Sequence, residues 1–261
     1  MHKAVARMTV YTIEITSDIV CPWCYIGHAR LSRAIAKHKE AFPGDTFKLQ
    51  YKPFYLDPAA QVYESLGAGA EPAPFPVPSK PRRQVYAQKF GPQRAKQLEE
   101  AMRQTAAREG LSFKYGGMTG PSRNGHRLVH YAQTHGGEEG QNAVMLALWR
   151  RYFEQEVDIT TLDTLVAAGV EAGLGTADDV RRYLESGQDA KLVDEEAAEA
   201  VEKDIGGVPH YLIQGQWEVS GAQDPRAFEQ LFQRWKATER PGAATDSAGK
   251  AIDSTGQGCP V

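Results

Sequence analysis

The chain has 261 residues, of which 41% are hydrophobic and 24% charged, as is ordinary for a globular protein. Thirty basic and thirty-three acidic side chains give a formal net charge of −3, so the cationic excess that favours nucleic acids or anionic membranes is absent. No apolar run approaches the roughly 20 residues that span a bilayer, and three cysteines are too few for a disulfide-dense secreted scaffold. We therefore expect neither a nucleic-acid nor a membrane partner.

The N-terminal stretch carries early positive charge, but Thr9, Thr12 and Glu14 interrupt its apolar residues, which alternate as in a strand. It therefore does not predict a cleaved signal peptide, and we expect a cytoplasmic protein. In that reducing compartment a disulfide is more often catalytic than structural.

A strand–helix–strand unit is predicted first. Polar and apolar residues alternate from Val10 to Thr16, helical spacing follows from Pro22 to about Ala41, and alternation returns in 47–52. A short return between two such strands implies a parallel pair joined by a right-handed crossover.

A long helical stretch is predicted next, after a loop indicated by prolines 72, 74, 76, 78 and 81. The predicted helices are 84–90, 93–108, 124–135, 138–155, one capped by Thr160 and ending at Ala172, one with a capping box of Thr176 and Asp179, and 189–203.

Strand character returns only near the end of the chain. The segments 208–213 and 217–219 flank a turn at Gly215, which is typical of a hairpin. Asp224 is expected to cap a last amphipathic helix, and the composition after Ala237 predicts a flexible tail. The sequence thus predicts an α/β protein with a βαβ start, a ββα finish and an all-helical insertion between them.

The sharpest functional motif is Cys21-Pro22-Trp23-Cys24, at the junction of the first strand and the first helix. Two thiols with this spacing can close a disulfide across one helical turn, and Pro22 suits the first helical position. We expect Cys21 to be the more exposed thiol, with its pKa lowered from about 8.5 by the N–H groups of the helix N-terminus. Cys21 would then attack a substrate disulfide, and Cys24 would resolve the mixed disulfide.

Two other interpretations of the motif are weaker. Half of a zinc site needs two further ligands, and only Cys259 and seven scattered histidines are available. A chance pair inside a buried helix is the second alternative. The strand–CxxC–helix context favours a redox pair, so no metal is expected.

Four motifs in a fixed order carry a family resemblance. They are Ser17-Asp18 with Cys21–Gly27, Asn124 with His126-Arg127-Leu128, Gly207-Val208-Pro209, and Gly221-Ala222-Gln223. Within about Tyr11 to Trp235 the chain resembles the DsbA-like thioredoxin-fold oxidoreductases, and most closely their FrnE-like branch.

The resemblance implies a thioredoxin fold split by an all-helical insertion domain. Its N-terminal part is expected at 9–57, the insertion at 58–190, the C-terminal part at 191–237 and a flexible tail at 238–261. It also implies that the Val208–Pro209 bond is cis and lies beside the cysteines, whereas spacing alone leaves an ordinary trans proline open. Val208 would then offer backbone groups to the substrate, and Pro209 would guard the disulfide.

Trp23 is expected to be exposed on the active-site face, where it would contact apolar substrates. Many thioredoxin-fold oxidants carry histidine just before the second cysteine. Because tryptophan lacks that charge, we expect a less depressed pKa of Cys21 and a less oxidising disulfide.

Asp18 and His126 are weaker candidates. Asp18 would either relay the proton of Cys24 or order its loop by accepting hydrogen bonds. His126 would either face the cleft or, with Arg127, serve as a packing and capping residue of a helix begun by Asn124.

Cys259 is the odd thiol, placed on the predicted tail. A flexible chain of that length spans roughly 25–30 Å root-mean-square, enough to reach an active site. A reversible, regulatory disulfide with Cys21 is one hypothesis, and an inert solvent-exposed thiol is the alternative.

We therefore expect a protein disulfide oxidoreductase or isomerase that reduces or isomerises disulfides of proteins or small molecules under oxidative stress, with an unidentified redox partner. The alternative is a glutathione-dependent isomerase or transferase of the 2-hydroxychromene-2-carboxylate isomerase or kappa-class type, against which the presence of Cys24 argues. A redox-inert binding module or chaperone is the third possibility. No cofactor is expected, and glutathione is the candidate thiol co-substrate.

Overall fold

The computed structural model of the chain describes residues 8–61 and 75–238. Cys259 and all of the predicted tail beyond Thr238 lie outside the described residues, so the regulatory role of Cys259 stays a prediction. Among the helices described, none is both long and apolar enough to cross a membrane.

A four-stranded mixed sheet forms the centre of the fold. Strand β1 (Val10–Ser17) pairs in parallel with β2 (Thr46–Pro53), as predicted, and helix α1 (Pro22–Ala41) connects them. On its other side β1 pairs antiparallel with β5 (His210–Ile213), which in turn pairs with β6 (Trp217–Ser220). In the sheet order β2-β1-β5-β6, the pairing of β1 with β5 thus joins the two N-terminal strands to the two C-terminal strands.

The alternation in β1 decides which side chains face the core. Tyr11, Ile13 and Ile15 are buried, as expected for one face of a pleated strand. The ring of Tyr11 lies 5.2 Å from that of Phe232 in the last helix, α8 (Pro225–Thr238). This packing fixes the strand that leads directly into the cysteine motif.

The described residues between β2 and β5 form mainly helices, as predicted, together with one short strand pair. Strand β3 (Lys80–Pro81) and strand β4 (Met118–Thr119) form a two-residue antiparallel ladder that the sequence analysis missed. A ladder this short has no detectable alternation. The helices of the segment are α2 (Arg82–Phe90), α3 (Pro92–Arg108), α4 (Arg123–Trp149), α5 (Leu162–Glu171), α6 (Ala177–Glu185) and α7 (Ala190–Glu202), with a 3-10 helix at Pro58–Gln61 and a π-helical turn at Arg150–Glu154.

Helix α4 contains the break that the sequence predicted as a boundary between two helices. Gly137 within it has φ 60° and ψ −154°, which is not helical, and the positive φ suits glycine. Ser122 is the residue that precedes the helix, so Asn124 lies inside its first turn instead of beginning it.

The caps of α5 and α6 depend on threonines. The capping box of α6 is confirmed, since Asp179 N donates to Thr176 Oγ1 over 3.2 Å and Thr176 N donates to Asp179 Oδ2 over 3.3 Å. The cap predicted at Thr160 is wrong by one residue. Thr161 caps α5, because the hydroxyl of Thr160 instead donates to Asp158 over 2.7 Å.

A buried charged cluster ties the ends of α1 and α8 to the sheet. Asp45 Oδ1 accepts a hydrogen bond from Lys236 Nζ over 2.7 Å, and Asp45 Oδ2 lies 2.8 Å from His38 Nε2. Burial alone would raise the pKa of Asp45, but these hydrogen bonds and one from the Thr9 amide lower it below its usual value. The cluster therefore holds three chain segments together around one carboxylate.

Candidate active site

The first turn of α1 brings the two cysteines together. Cys21 is the N-cap residue in an extended conformation, and Pro22 is the first helical residue, as predicted. The amide of Cys24 donates to the carbonyl of Cys21 over 3.1 Å. Both are free thiols, one helical turn apart, which is the spacing that a CxxC disulfide requires.

The segment before β5 lies against this turn. The Val208–Pro209 peptide bond is cis, as the family resemblance implied. The thiol of Cys21 donates to the carbonyl oxygen of Val208 over 3.6 Å, across 187 residues of sequence. The fold therefore brings Cys21 and Val208 together, and Pro209 lies next to them.

The exposure expected for this motif is wrong. Cys21 is 0% exposed, Cys24 is 2% exposed, and Trp23 is 8% exposed and belongs to the main hydrophobic cluster. Cys21 is buried because the chain around Val208, which is also buried, packs over the start of the helix. Trp23 therefore does not offer the exposed contact surface that was predicted.

Burial also shifts the pKa of Cys21 in the direction opposite to the expected one. Loss of solvent raises the pKa of Cys21 well above its ordinary value, and the side chain of Cys24 raises it further by hydrogen bonding and charge. The amide of Cys24 acts in the opposite direction, as helix N-terminal donors do, but its effect is smaller. The predicted lowering of this pKa is therefore wrong for the structure described, and Cys21 holds its proton at neutral pH.

Asp18 orders the loop that carries the motif. Its carboxylate is buried and accepts hydrogen bonds from the amides of Val20, over 3.3 Å, and Leu56, over 2.9 Å. His126 Nε2 lies 3.4 Å from the same carboxylate. The loop-ordering role is thus seen directly, whereas the relay of a proton from Cys24 stays a prediction.

His126 and Arg127 lie inside the protein. The His126 ring contacts that of Tyr55 edge-on at 5.8 Å, so it faces Asp18 and not an open cleft. Arg127 is fully buried and donates to the carbonyls of Tyr183 and Leu184, both over 3.0 Å. Its predicted packing role is confirmed, but the helix end whose carbonyls it binds is that of α6 and not that of the helix containing Asn124.

A buried polar pair near Cys24 was missed by the sequence analysis. His28 Nδ1 lies 2.9 Å from the hydroxyl of Tyr51, which donates to Asn142 Oδ1 over 3.1 Å. Burial lowers the pKa of His28 to about 4, so its ring is neutral at pH 7. Burial raises the pKa of Tyr51, and the nearby Cys24 raises it further. One signal was available, since His28 follows Cys24 by four residues and shares its helix face.

A cavity of about 550 Å³ opens beside Pro22, between the sheet end of the molecule and the helical segment. We call it the Pro22 cavity. Its polar lining includes Lys80 and Lys89 as well as Asp18 and Asp57. The larger apolar side chains that line it are Val20, Leu56, Val85, Tyr86, Phe90 and Tyr152.

The described part of the chain contains no group of three or more His, Cys, Asp or Glu side chains placed to hold a metal ion. The two cysteines therefore have no third candidate ligand beside them within residues 8–61 and 75–238.

Comparisons with known proteins agree on the fold. The family described as the DsbA-like thioredoxin domain matches residues 12–233. Among solved structures, a probable DsbA oxidoreductase from Streptomyces coelicolor is 29% identical, with a TM-score of 0.70 over 91% of this chain and 94% of that one. Curated proteins gave no match.

Two more distant structures are similar in fold alone. A putative protein disulfide isomerase from Nitrosomonas europaea is 15% identical, with a TM-score of 0.59 over 88% of this chain and 99% of that one. A 2-hydroxychromene-2-carboxylate isomerase is also 15% identical, with a TM-score of 0.58 over 87% of this chain and 97% of that one.

The raised pKa of Cys21 predicts how the reduced protein reacts with an alkylating agent. Only the thiolate reacts, so modification of Cys21 by iodoacetamide should be about tenfold or more slower at pH 7 than in the urea-unfolded chain. The rate should then climb as the pH rises past about 8.5, the ordinary value. Peptide mass spectrometry at a series of pH values measures this, and a midpoint below pH 7 would contradict the assignment.

Proposed function

Because the chain belongs to the family of DsbA-like thioredoxin domains, we propose that it is a thiol–disulfide oxidoreductase working through Cys21 and Cys24. The observation that carries this proposal is the position of Cys21. It caps α1, lies one turn from a second free thiol and contacts the carbonyl of Val208 before a cis-proline. A sulfur in that position has a partner for exchange and a backbone edge where a substrate chain can lie.

The exchange has two balanced steps. The Cys21 thiolate attacks one sulfur of a substrate disulfide, which forms a mixed disulfide and releases the other substrate sulfur as a thiolate. Cys24 then loses its proton and attacks the sulfur of Cys21, which forms the Cys21–Cys24 disulfide. The second substrate thiolate leaves and takes up the proton. The substrate gains two electrons, and a thiol reductant such as glutathione or a redox partner returns them to the protein.

Substrate binding supplies the thiolate. In the resting protein the thiol of Cys21 donates to the carbonyl of Val208, which holds the proton on sulfur. A substrate backbone N–H that pairs with this carbonyl takes the place of the thiol. The thiol then gives its proton to solvent, and the sulfur is left with the helix N-terminal amides as its hydrogen-bond donors, which favour the anion. Val208 and Pro209 thus act as the substrate-binding edge, whereas Trp23 is buried in the main hydrophobic cluster.

The Pro22 cavity takes the side chains next to the substrate disulfide. Its apolar lining and its position beside Pro22 suit a short apolar segment, and two lysines at its wall suit a nearby carboxylate. Proteins with an exposed disulfide and small disulfides are therefore the substrate classes proposed.

The direction of exchange favours reduction or isomerisation. A strong oxidant has a reduced form that is stabilised, commonly through a low thiol pKa. Burial instead raises the pKa of Cys21, and Trp23 stands where many oxidants carry histidine. This direction suits a reducing compartment, and we propose that the protein belongs to the FrnE-like branch and repairs disulfides formed in the cytoplasm under oxidative stress.

A glutathione-dependent small-molecule isomerase is the second candidate. The observation that favours it is the Pro22 cavity, whose volume of about 550 Å³ is that of a small-ligand site. Such an enzyme needs one group that binds the glutathione thiolate and has no need of a resolving thiol. Cys24 therefore argues for redox exchange.

Insulin reduction by dithiothreitol separates the two candidates. The wild-type protein should accelerate it, and Cys21→Ser should return the rate to the uncatalysed value, because the attacking sulfur is lost. Cys24→Ser should accumulate mixed disulfides on Cys21, seen as larger species on non-reducing gels. Equal rates for wild type and Cys21→Ser, together with glutathione-dependent isomerisation of a chromene substrate, would favour the second candidate.

A substitution at Ala60 tests whether substrates enter the Pro22 cavity. Ala60→Trp fills part of it, so the KM for a peptide disulfide should rise several-fold with little change in kcat. Ala101→Trp is the matched control, because Ala101 is exposed on α3 and does not line the cavity. An unchanged KM for Ala60→Trp would mean that peptide substrates bind elsewhere.

A further inference from the structure

The hydroxyl of Tyr211 is a buried polar group that the exchange steps above do not use. Tyr211 lies in β5 and is fully buried. Within the described residues its hydroxyl has no hydrogen-bond partner. Burying a hydroxyl without a partner is unfavourable, and phenylalanine would fill the same space without that penalty.

The hydroxyl lies against the helix face that carries Cys24. A methyl group added to Gly27 would overlap with this oxygen and would lie 3.0 Å from Cγ of Pro209. The oxygen therefore rests on the backbone of α1 at Gly27, beside the cis-proline. Gly27 follows Cys24 by three residues, so both lie on the same face of the helix.

The electrostatic surroundings keep the proton on this hydroxyl. Burial raises the pKa of Tyr211 well above its usual value, and Cys24, Tyr51 and Cys21 raise it further. Arg30 acts in the opposite direction with a smaller effect. The hydroxyl is therefore a permanent donor, and both cysteines lie close enough to influence it.

The other hydroxyl near Cys24 is already engaged. Tyr51 is paired with His28 and donates to Asn142, so its proton is committed. Tyr211 thus differs from its neighbour in offering a hydrogen that nothing in the described resting structure accepts.

We propose that Tyr211 is a positioning residue for the second step, donating a hydrogen bond to the sulfur of Cys24 as that sulfur becomes a thiolate. The inference rests on the proposed function and assigns a residue to its resolving half-reaction. The proton leaves Cys24 for the departing substrate thiolate, a bond forms between the two cysteine sulfurs, and the bond between Cys21 and the substrate breaks. The O–H bond of Tyr211 stays intact throughout.

A neutral thiol is a weak acceptor, which explains why the hydroxyl is unpaired in the resting protein. A thiolate is a charged acceptor, and hydrogen bonds to charged groups are about twice as strong as neutral ones. The interaction is therefore strongest where negative charge has developed on Cys24, and it speeds resolution without stabilising the resting state.

The variant Tyr211→Phe tests this role of the hydroxyl, with a chromogenic aromatic disulfide such as dithiobis(nitrobenzoate) as the substrate. Attack by Cys21 releases a first coloured thiolate, and resolution by Cys24 releases a second, so one trace reports both steps. We expect the first phase to keep its wild-type rate and the second to slow about tenfold, the effect of losing one charge-assisted hydrogen bond. The thermal midpoint should not fall, because the missing hydroxyl had no partner.

Tyr183→Phe is the matched control. The hydroxyl of Tyr183, in α6, is buried but donates to the carbonyl of Arg127 over 2.9 Å, and it lies 3.1 Å from Asp189 Oδ2. Its removal should lower the thermal midpoint and leave both phases unchanged. The two variants thus separate a structural hydroxyl from one that acts in exchange.

Two results would overturn the assignment of Tyr211. One is a second phase in Tyr211→Phe that keeps the wild-type rate. The other is an equal slowing of both phases, which would indicate a disturbed site and not a lost donor. A wild-type protein that releases the first thiolate but never the second would instead refute the proposed function.

Discussion

The contact between the first turn of α1 and the cis-proline segment is the constraint on which the site depends. It joins two parts of the chain that the helical segment separates, at a place where both sulfurs are buried. Because a buried anion is unfavourable, the chemistry of Cys21 and Cys24 is controlled by the few hydrogen-bonding groups that reach them. The carbonyl of Val208 stabilises the protonated thiol of Cys21, and the amide of Cys24 stabilises the thiolate of Cys21. The hydroxyl of Tyr211 stabilises the thiolate of Cys24.

This arrangement explains how Cys21 can be protonated before substrate binds and still carry out the proposed thiol–disulfide exchange. A thiolate that formed spontaneously would react with any oxidant in the cell. Here the sulfur of Cys21 is covered until a substrate chain takes the carbonyl of Val208, so reactivity is coupled to binding. The same coupling supports the proposed reducing or isomerising direction, because the dithiol form gains no stability from a thiolate at neutral pH.

The features predicted from the sequence are those that depend on residues close together in the chain. The start of α1 at Pro22, the parallel pairing of β1 and β2 and the capping box of α6 all follow from local patterns. The family resemblance, and no local pattern, placed Val208 beside the cysteines across 187 residues, and neither it nor any periodicity indicated that this contact buries Cys21. The raised pKa of Cys21 was missed for the same reason, and Tyr211 is seen near Cys24 only once β5 is packed on α1.

The central claim is that Cys21 and Cys24 form a reversible redox pair, and equilibration with mixtures of reduced and oxidised glutathione tests it most directly. The measured quantity is the fraction of the peptide containing both cysteines that has lost two hydrogens, after acid quenching and mass spectrometry. The account predicts one transition between dithiol and intramolecular disulfide, with the steepness of a two-electron couple. Glutathione attached to Cys21 without any intramolecular disulfide, at every ratio tested, would contradict it.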